Sequence, residues 1–552
     1  MTAQDTIAAA IENNLDLQVD RYGPLAAKWG LQRAQGGGPL RGVTSGNSLV
    51  SRAQSGQGVV GTEVSAGLVQ NGNGSTSNNG NALVSQIGPV TQNLDPVLQN
   101  ATAWSHTTTP QPNSVISETT ALIDTKYVYN TFVQQGLLSG GYVQVTANAS
   151  YLKENTPTDV LNPSTATVAQ MYFRHNFLNS FGTTVNSRFI HVAEKNVLAA
   201  NETFQSQLLN LVTSVLNAYW DLVAADEDFK IKQRALEAAE ESDAYIKKQI
   251  GLGVLARVEQ LRADAEVSSR KQALAIATAS VSQQENSLKE ILTLNTTDDP
   301  LIDAAEIVPL DYLRVPEEED LPPLRVLVRR ALAKRPDVAL TNLNQEVAEI
   351  SSLGTANGLL PVLQGIVAIT ANGLAGTPTP QPPGSGANPY FAGGVGTALG
   401  QVARRDFPSD RAAVLFEGKL RNQVAQGDYG VEQLQLQQNK LAARKSLNQV
   451  VVDISNQVVA VRQARARYSA ALESRTLAEQ LLAEEKQKFS LGNSTVASVI
   501  SVQQDLVTAQ STEVSGLSGY VHARIALDQV LGETLENNHV STSDALVGRA
   551  MQ

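Results

Sequence analysis

Two stretches of this chain, residues 183–250 and 431–491, run 68 and 61 residues without a glycine or a proline. The residues that most readily stop a helix are absent from both, so each is predicted to be one continuous helix. At 1.5 Å rise per residue they would reach roughly 90 to 100 Å, far beyond the core of an ordinary globular domain. Each closes on the same short turn, Gly251-Leu252-Gly253 in the first and Leu491-Gly492 in the second, and further helical sequence follows. A chain that makes two such hairpins builds a rod or a tube.

The helices carry a packing pattern. Leu208, Val212, Val215, Tyr219 and Leu222 step by 4, 3, 4 and 3 residues, and Leu447, Val451, Ile454, Val458 and Val461 repeat those steps. That spacing is the seam of a coiled coil. Arg465 interrupts the second seam before Tyr468 and Leu472 resume it. The two halves also align in register: placing Leu252-Gly253 on Leu491-Gly492 sets an offset of 239 residues, which carries Leu288 onto Leu527 and Leu292 onto Leu531 without a gap. A second alignment sets Leu15-Asp16-Leu17 on Pro336-Asp337-Val338. The order helix, hairpin, long helix, turn, helix thus occurs twice.

Between the helices the period changes. Val143, Val145, Ala147, Ala149 and Tyr151 alternate with Gln144, Thr146, Asn148 and Ser150, which predicts a strand over 141–152 with one apolar and one polar face. A loop with Pro157 and Pro163 leads to a second strand over 169–174. In the second half, 361–370 is strand-like, 377–389 is a Pro/Gly loop, and 411–421 alternates with Ala412, Val414, Phe416 and Leu420 on one face. The expected divisions are a first helix (1–35), an insertion (36–135), a β-hairpin (136–180) and a long helical hairpin turning near 252 (181–297). An equatorial segment (298–335) follows, then a helix (336–360), a second β-hairpin (361–421), a second long helical hairpin turning near 492 (422–535) and a tail (536–552). The insertion opens with 13 glycines and four charges in residues 36–100, so it reads as extended or irregular. The equatorial segment holds Pro300, Pro309, Pro316, Pro322 and Pro323, and the acidic run 317–320 reads as a solvated turn.

Composition removes several function classes. The net charge is −11 without a dense Lys/Arg patch, which argues against nucleic acid as a partner. There is no cysteine, hence no disulfide, thiolate metal site or lipid-modified cysteine in this sequence. His106, His175, His191, His522 and His539 are scattered without metal-ligand spacing, and Gly36 to Gly38 do not follow a strand as a phosphate loop would. No enzyme activity, metal or cofactor is expected. No run of about 18 apolar residues suggests a transmembrane helix. The first residues, Met1-Thr-Ala-Gln-Asp, lack the basic and apolar regions of a signal peptide, so the sequence reads as a mature form with an added Met.

At this point the chain resembles the TolC-type outer-membrane efflux proteins. The matching pieces are Lys334-Arg-Pro-Asp-Val338, Gly358-Leu-Leu-Pro361, Leu420-Arg-Asn-Gln423 with Ala425-Gln426, Phe177-Leu-Asn-Ser-Phe-Gly182, and Phe489-Ser-Leu-Gly492 with Gln503-Gln504. The resemblance implies a mainly α fold: long antiparallel helical hairpins forming an α-barrel, with four membrane β-strands per protomer in two internal repeats. It also implies a homotrimer closing a twelve-stranded barrel in the outer-membrane lipid and extending into the periplasm. Such a channel is a passive conduit of a tripartite efflux or type I secretion system, served by a periplasmic adaptor and an inner-membrane pump. The tips Leu252, Gly253, Val254, Leu491, Gly492 and Asn493 would then dock the adaptor. Tyr142, Tyr151, Tyr172, Phe173, Phe177, Tyr390, Phe391 and Phe416 would form the interfacial aromatic girdle, although the same rings would equally serve core packing.

Members of that family often carry acidic residues just past the second tip, and here the matching positions are Ser498 and Ser501. Glu259 fits in the first repeat. Any charge at the entrance then falls to Glu259, Asp264, Glu266 or Asp505, each of which also reads as a solvated helix-face residue. A flagellin-like or other coiled-coil filament subunit is the alternative reading of the long helices. It does not account for two tip turns and doubled hairpins. A periplasmic adaptor has one helical hairpin and a lipoyl-like β domain, which this sequence lacks.

Overall fold

The computed structural model describes residues 1–38, 93–112, 118–293, 305–316, 321–382 and 386–549. The glycine-rich run 39–92 and the acidic run 317–320 lie outside the described residues. Three helices, α1 (Ala3–Asn13), α2 (Leu15–Asp20) and α3 (Tyr22–Gln35), replace the single helix expected over 1–35. The first break has a local cause: the Leu17 amide donates to Asn14 Oδ1 at 3.0 Å, so Asn14 caps a new helix. Four strands follow: β1 (Val97–Pro110), β2 (Ala121–Leu137), β3 (Gly141–Glu154) and β4 (Leu161–Asn176). The single turn α4 (Thr183–Asn186) leads into α5 (Arg188–Gly251), and α6 (Arg257–Leu292) returns.

The second half opens with α7 (Leu324–Lys334) and α8 (Pro336–Gly358). Pro336 has no N–H to extend α7 and disfavours helical backbone at Arg335, so the break falls there. Then come β5 (Val362–Pro378), α9 (Val395–Arg404), β6 (Phe407–Glu417), α10 (Gln423–Ser490), α11 (Val496–Leu531), α12 (Thr534–Asn537) and α13 (Thr542–Val547). Helix α10 starts at Gln423 and runs through Gly427 and Gly430, earlier than the breaker-free run beginning at Val431. Both glycines are exposed, and the helix bears their intrinsic cost, about 1 kcal/mol each. Helices α6 and α11 are both 36 residues long, and their first residues, Arg257 and Val496, stand 239 apart. The repeat offset read at the turns therefore carries one whole helix onto the other.

The chain divides into two compact units. The first comprises Met1–Ala26, Leu198–Leu343 and Lys440–Gln552. Its larger core takes the whole seam of α5: Leu208, Val212, Val215, Tyr219 and Leu222 are buried together with Ile7, Ile11, Leu17 and Leu288. Burying each such side chain stabilises the fold by about 1.5–3 kcal/mol. One window of α5 has the length and composition of a membrane span, contrary to the sequence expectation, but half of it is buried. Its apolar residues serve the seam. The Tyr219 hydroxyl lies 2.9 Å from Asp311 Oδ2, and burial, then that bond, pushes its pKa up to about 12.

A second core joins Leu327, Ala331 and Val338 to Ile454, Val461, Leu527 and Leu531. Here Val450 faces inward and Val451 outward, a one-residue correction to the expected seam. Position 450 also lies one helical turn before Ile454, so both choices satisfy the period. Leu17 and Val338, paired by the second alignment, are both buried.

The second unit comprises Ala27–Val197 and Asn344–Asn439. It contains one antiparallel sheet in the order β1-β2-β3-β4-β5-β6. Six strands stand where four were expected, because residues 97–110 and 121–137 form a hairpin inside the stretch assigned to the insertion 36–135. Below the sheet, Phe189, Val192 and Ala193 of α5 pack with Ala34 and Val347. Arg188 is buried beside them, bonded through Nη1 to the Val185 carbonyl at 2.7 Å and stacked over the Phe189 ring. Burial lowers its pKa to about 10.

Candidate membrane sheet and helix tips

Strand register decides which side chains share a face. One row across the sheet reads Leu98, Val133, Val145, Met171 and Ile369; another joins Trp104, Tyr127 and Tyr151. Val367, Ala412, Val414 and Phe416 complete the same face on β5 and β6. The large residues of this face are exposed, Trp104 at 62% and Val414 at 76%. The opposite face carries Gln144, Thr146, Asn148, Gln170, Arg174, Thr370 and Arg411. The face is mostly apolar, interrupted by Asn100 with Thr131, by Thr102, and by Asp410 beside Ile369; an apolar face backed by a polar one is what a lipid-facing barrel wall requires.

Aromatic residues gather at both ends of that face. Where β4 leaves for α4, Phe173 stacks on His175, and Phe177 and Phe181 lie 5.5 and 5.9 Å from the same ring. Phe416 is exposed at the end of β6. At the other end Tyr127 meets Tyr151 edge-on at 5.8 Å, while Tyr390, Phe391 and Phe407 cluster at the start of β6, where Phe407 pairs with Asn372 on the opposite face. Tyr151 pairs with Thr165, and eight residues of β4 separate Thr165 from Phe173, about 26 Å along the strand. An outer-membrane apolar band is about 25 Å tall.

Two expected girdle residues fall on the wrong face. Tyr142 and Tyr172 stack at 5.7 Å on the polar side, where Tyr172 packs with Ile366 and Ala368. Both have even numbers on strands whose outward positions are odd, so the pleat turns them inward. Trp104, Tyr127 and Tyr129 share the face of Tyr151 and were not among the expected residues. Their signal was the alternation of Ile123, Tyr127, Tyr129 and Val133 with Asp124, Lys126, Asn130 and Gln134.

The motifs behind the family resemblance occupy the corners. Ser180 N–H donates to Asn357 Oδ1 at 2.7 Å, the Phe177 amide donates to the Leu363 carbonyl at 2.8 Å, and Asn422 Nδ2 reaches the Leu359 carbonyl at 3.1 Å. These bonds fix the turn from sheet to helix in both repeats. In the other unit, Lys334 bonds Glu533 at 3.0 Å and also Glu536, while Arg335 grips Asp337 through two nitrogens and donates to the Val530 carbonyl at 3.1 Å. That clamp joins the α7–α8 break to the end of α11.

Both tips close alike. Val254 N–H donates to the Gln249 carbonyl at 3.0 Å and Gly253 N–H to Ile250 at 2.9 Å; Asn493 and Gly492 make the same pair with Lys488 and Phe489 at 2.9 and 3.0 Å. This is the Schellman arrangement, and it needs a left-handed residue, here Gly253 at φ +75° and Gly492 at φ +80°. Leu252, Val254 and Leu491 project into solvent beside Asn493, while Ile246, Ala263 and Val496 pack just behind.

The entrance candidates separate. Glu259 stands in the first turn of α6 with Arg262 at 3.8 Å, and Asp264 is 3.3 Å from Lys247. Asp505 is exposed on α11, as is Ser501. Ser498 belongs to the α11 cap, its amide donating to Thr495 Oγ1 at 3.2 Å. Glu266 is buried, taking Arg270 Nε at 2.6 Å on one oxygen and Gln504 Nε2 at 2.7 Å on the other, so it ties two helices together instead of facing water. His522 bridges Asn217 and Asp221 at 2.8 Å each. Among the described residues, no group of three or more His, Cys, Asp or Glu is placed to hold a metal.

Residues 163–293 match the family model described as outer membrane efflux protein. No curated protein sequence matches the chain. Among solved structures, the CmeC outer membrane channel of Campylobacter jejuni is similar over 100% of this chain and 90% of its own, at 12% identity and a TM-score of 0.60. The open state of the Neisseria gonorrhoeae MtrE outer membrane channel is similar over 97% and 89%, at 14% identity and 0.55. The outer membrane protein VceC of Vibrio cholerae is similar over 80% and 87%, at 16% identity and 0.53. Residues 163–293 are thus similar to the outer membrane efflux protein family, and the chain shares its fold with solved outer-membrane channels.

Proposed function

We propose that this protein is an outer-membrane channel, a passive conduit from periplasm to exterior that works as a homotrimer with a periplasmic adaptor and an inner-membrane pump. The observation that carries this reading is the sheet: an exposed, mostly apolar face, aromatic at both ends, backed by a polar face. Open sheet edges are not tolerated in lipid, so one sheet from one chain needs further copies to close. The exposed tips support an adaptor contact, since each presents apolar side chains on a rigid, capped turn. The test is reconstitution. Purified protein should run as a trimer in detergent by light scattering and form conducting pores in planar bilayers. A stable monomer without conductance would overturn the reading.

A further inference from the structure

Among the described residues the sheet has two edges without a neighbouring strand, and they differ in what they offer. Strand β1 is 14 residues long, pairs with β2 from Val97↔Gln134 to Pro110↔Ala121 without a bulge, and is exposed at every position. It carries no Asp, Glu, Lys or Arg, and its one proline is the last residue. Soluble proteins blunt an exposed edge with charge, proline, a bulge or shortness. None of these interrupts β1, so its edge is built to be paired.

Strand β6 supplies the complement. Proline and charge are confined to its first half (Pro408, Asp410, Arg411) and its last residue, Glu417; Ala412 to Phe416 are uncharged, and Val414 and Phe416 carry the apolar face to the sheet margin, as Leu98 and Trp104 do on β1. Six successive antiparallel strands make β6 antiparallel to β1, so β6 of one copy meets β1 of the next in the same antiparallel sense as every pair within the chain. A head-to-tail contact of this kind closes into a ring.

We propose that β1 of one copy pairs with β6 of its neighbour, and that the β1–β2 hairpin is part of the barrel wall. Resting on the trimeric channel reading above, this makes a barrel of eighteen strands in place of the twelve the resemblance implies. At about 4.8 Å between strands and a tilt near 40°, such a wall is roughly 36 Å across, against roughly 24 Å for twelve strands.

The cysteine-free chain permits a direct test. Val414→Cys on β6 is combined in turn with Leu98→Cys, Asn100→Cys, Thr102→Cys or Trp104→Cys on the same face of β1, and in a control series with Val143→Cys, Val145→Cys or Ala147→Cys on β3. All these positions lie on the outward face, and spacing by two residues samples the unknown register of the seam. Membranes holding the full-length protein are oxidised with copper phenanthroline and run on non-reducing gels. The expected result is a ladder of covalent dimer and trimer from at least one β6–β1 pair and none from β6–β3. A β6–β3 ladder overturns the eighteen-strand seam, because the hairpin then lies outside a twelve-strand wall, yet it leaves the channel reading standing. Trimers that conduct but give no β6–β1 ladder overturn the seam as well. Monomers without conductance overturn both.

Discussion

Glu266 and Asp505 occupy equivalent places in the two return helices, 239 residues apart, and meet opposite surroundings. Glu266 is buried between Arg270 and Gln504, whereas Asp505 faces solvent. The position equivalent to Arg270 is Ala509, which offers Asp505 no cation.

Cation preference at the entrance should follow that difference. The Glu259→Gln, Asp505→Asn double variant is expected to lose much of its cation preference, read as a reversal potential in planar bilayers, and Ser498→Ala is expected to keep it. Glu266→Ala should leave selectivity unchanged but destabilise the helix pair by roughly 3–5 kcal/mol, since it strands a buried guanidinium. Unchanged selectivity in the double variant would place the filter elsewhere.

Substituting valine for Gly253 and Gly492 forces a β-branched residue into left-handed backbone, at about 1–2 kcal/mol each or more. Nothing lies within 4 Å of the added Cβ, so the effect is conformational and local to the tips. Export, measured as drug resistance in an efflux-deficient host, should be lost while the trimer survives on native gels. Retained export would remove the adaptor-docking role from the tips.

Tyr219 sets an alkaline limit. Its folded pKa is raised to about 12, so its contribution to stability is complete below the ordinary tyrosine value and is lost as pH rises through about 10 to 12. Thermal unfolding of the Tyr219→Phe variant should depend less steeply on pH across that window than the parent. Equal slopes would show that the Tyr219 hydroxyl does not carry the transition.

Gly373 tests the seat of α9. A Cβ there would stand 2.1 Å from the Ala398 carbonyl oxygen, and backbone is slow to yield. Gly373→Val should therefore destabilise the protein by about 1–3 kcal/mol or more, visible as a lower melting temperature of the oligomer. A small change would mean that α9 lifts freely from the sheet.

The long helices, their breaks at Pro336 and at both tip turns, and the repeat were legible in the sequence. Each depends on local signals, such as a missing breaker or a glycine at a left-handed position. Residues 97–137 were not, because the glycine-rich composition before them carried the reading of an irregular insertion past the start of β1 at Val97. The alternation in β2 was present but mixed with threonine and asparagine, which serve loops as well as strands. Tyr142 and Tyr172 were misplaced because only register fixes the face a strand residue takes. The burial of Glu266 depends on Gln504, far away in sequence, and no local pattern reveals such a partner.

Helix α9 has a consequence for the margin of the sheet. Strand β6 pairs with β5 only as far as Asn372, and beyond that point Gln401 accepts the Leu374 amide at 2.8 Å while Gly393 donates to the Gly376 carbonyl at 3.0 Å. Those groups would otherwise be an open ladder. With them occupied, that margin offers no open ladder to a stray extended peptide. Strand addition on this side of the sheet is then confined to the 11 residues of β6, so the segment before that strand sets how far a neighbouring strand can run.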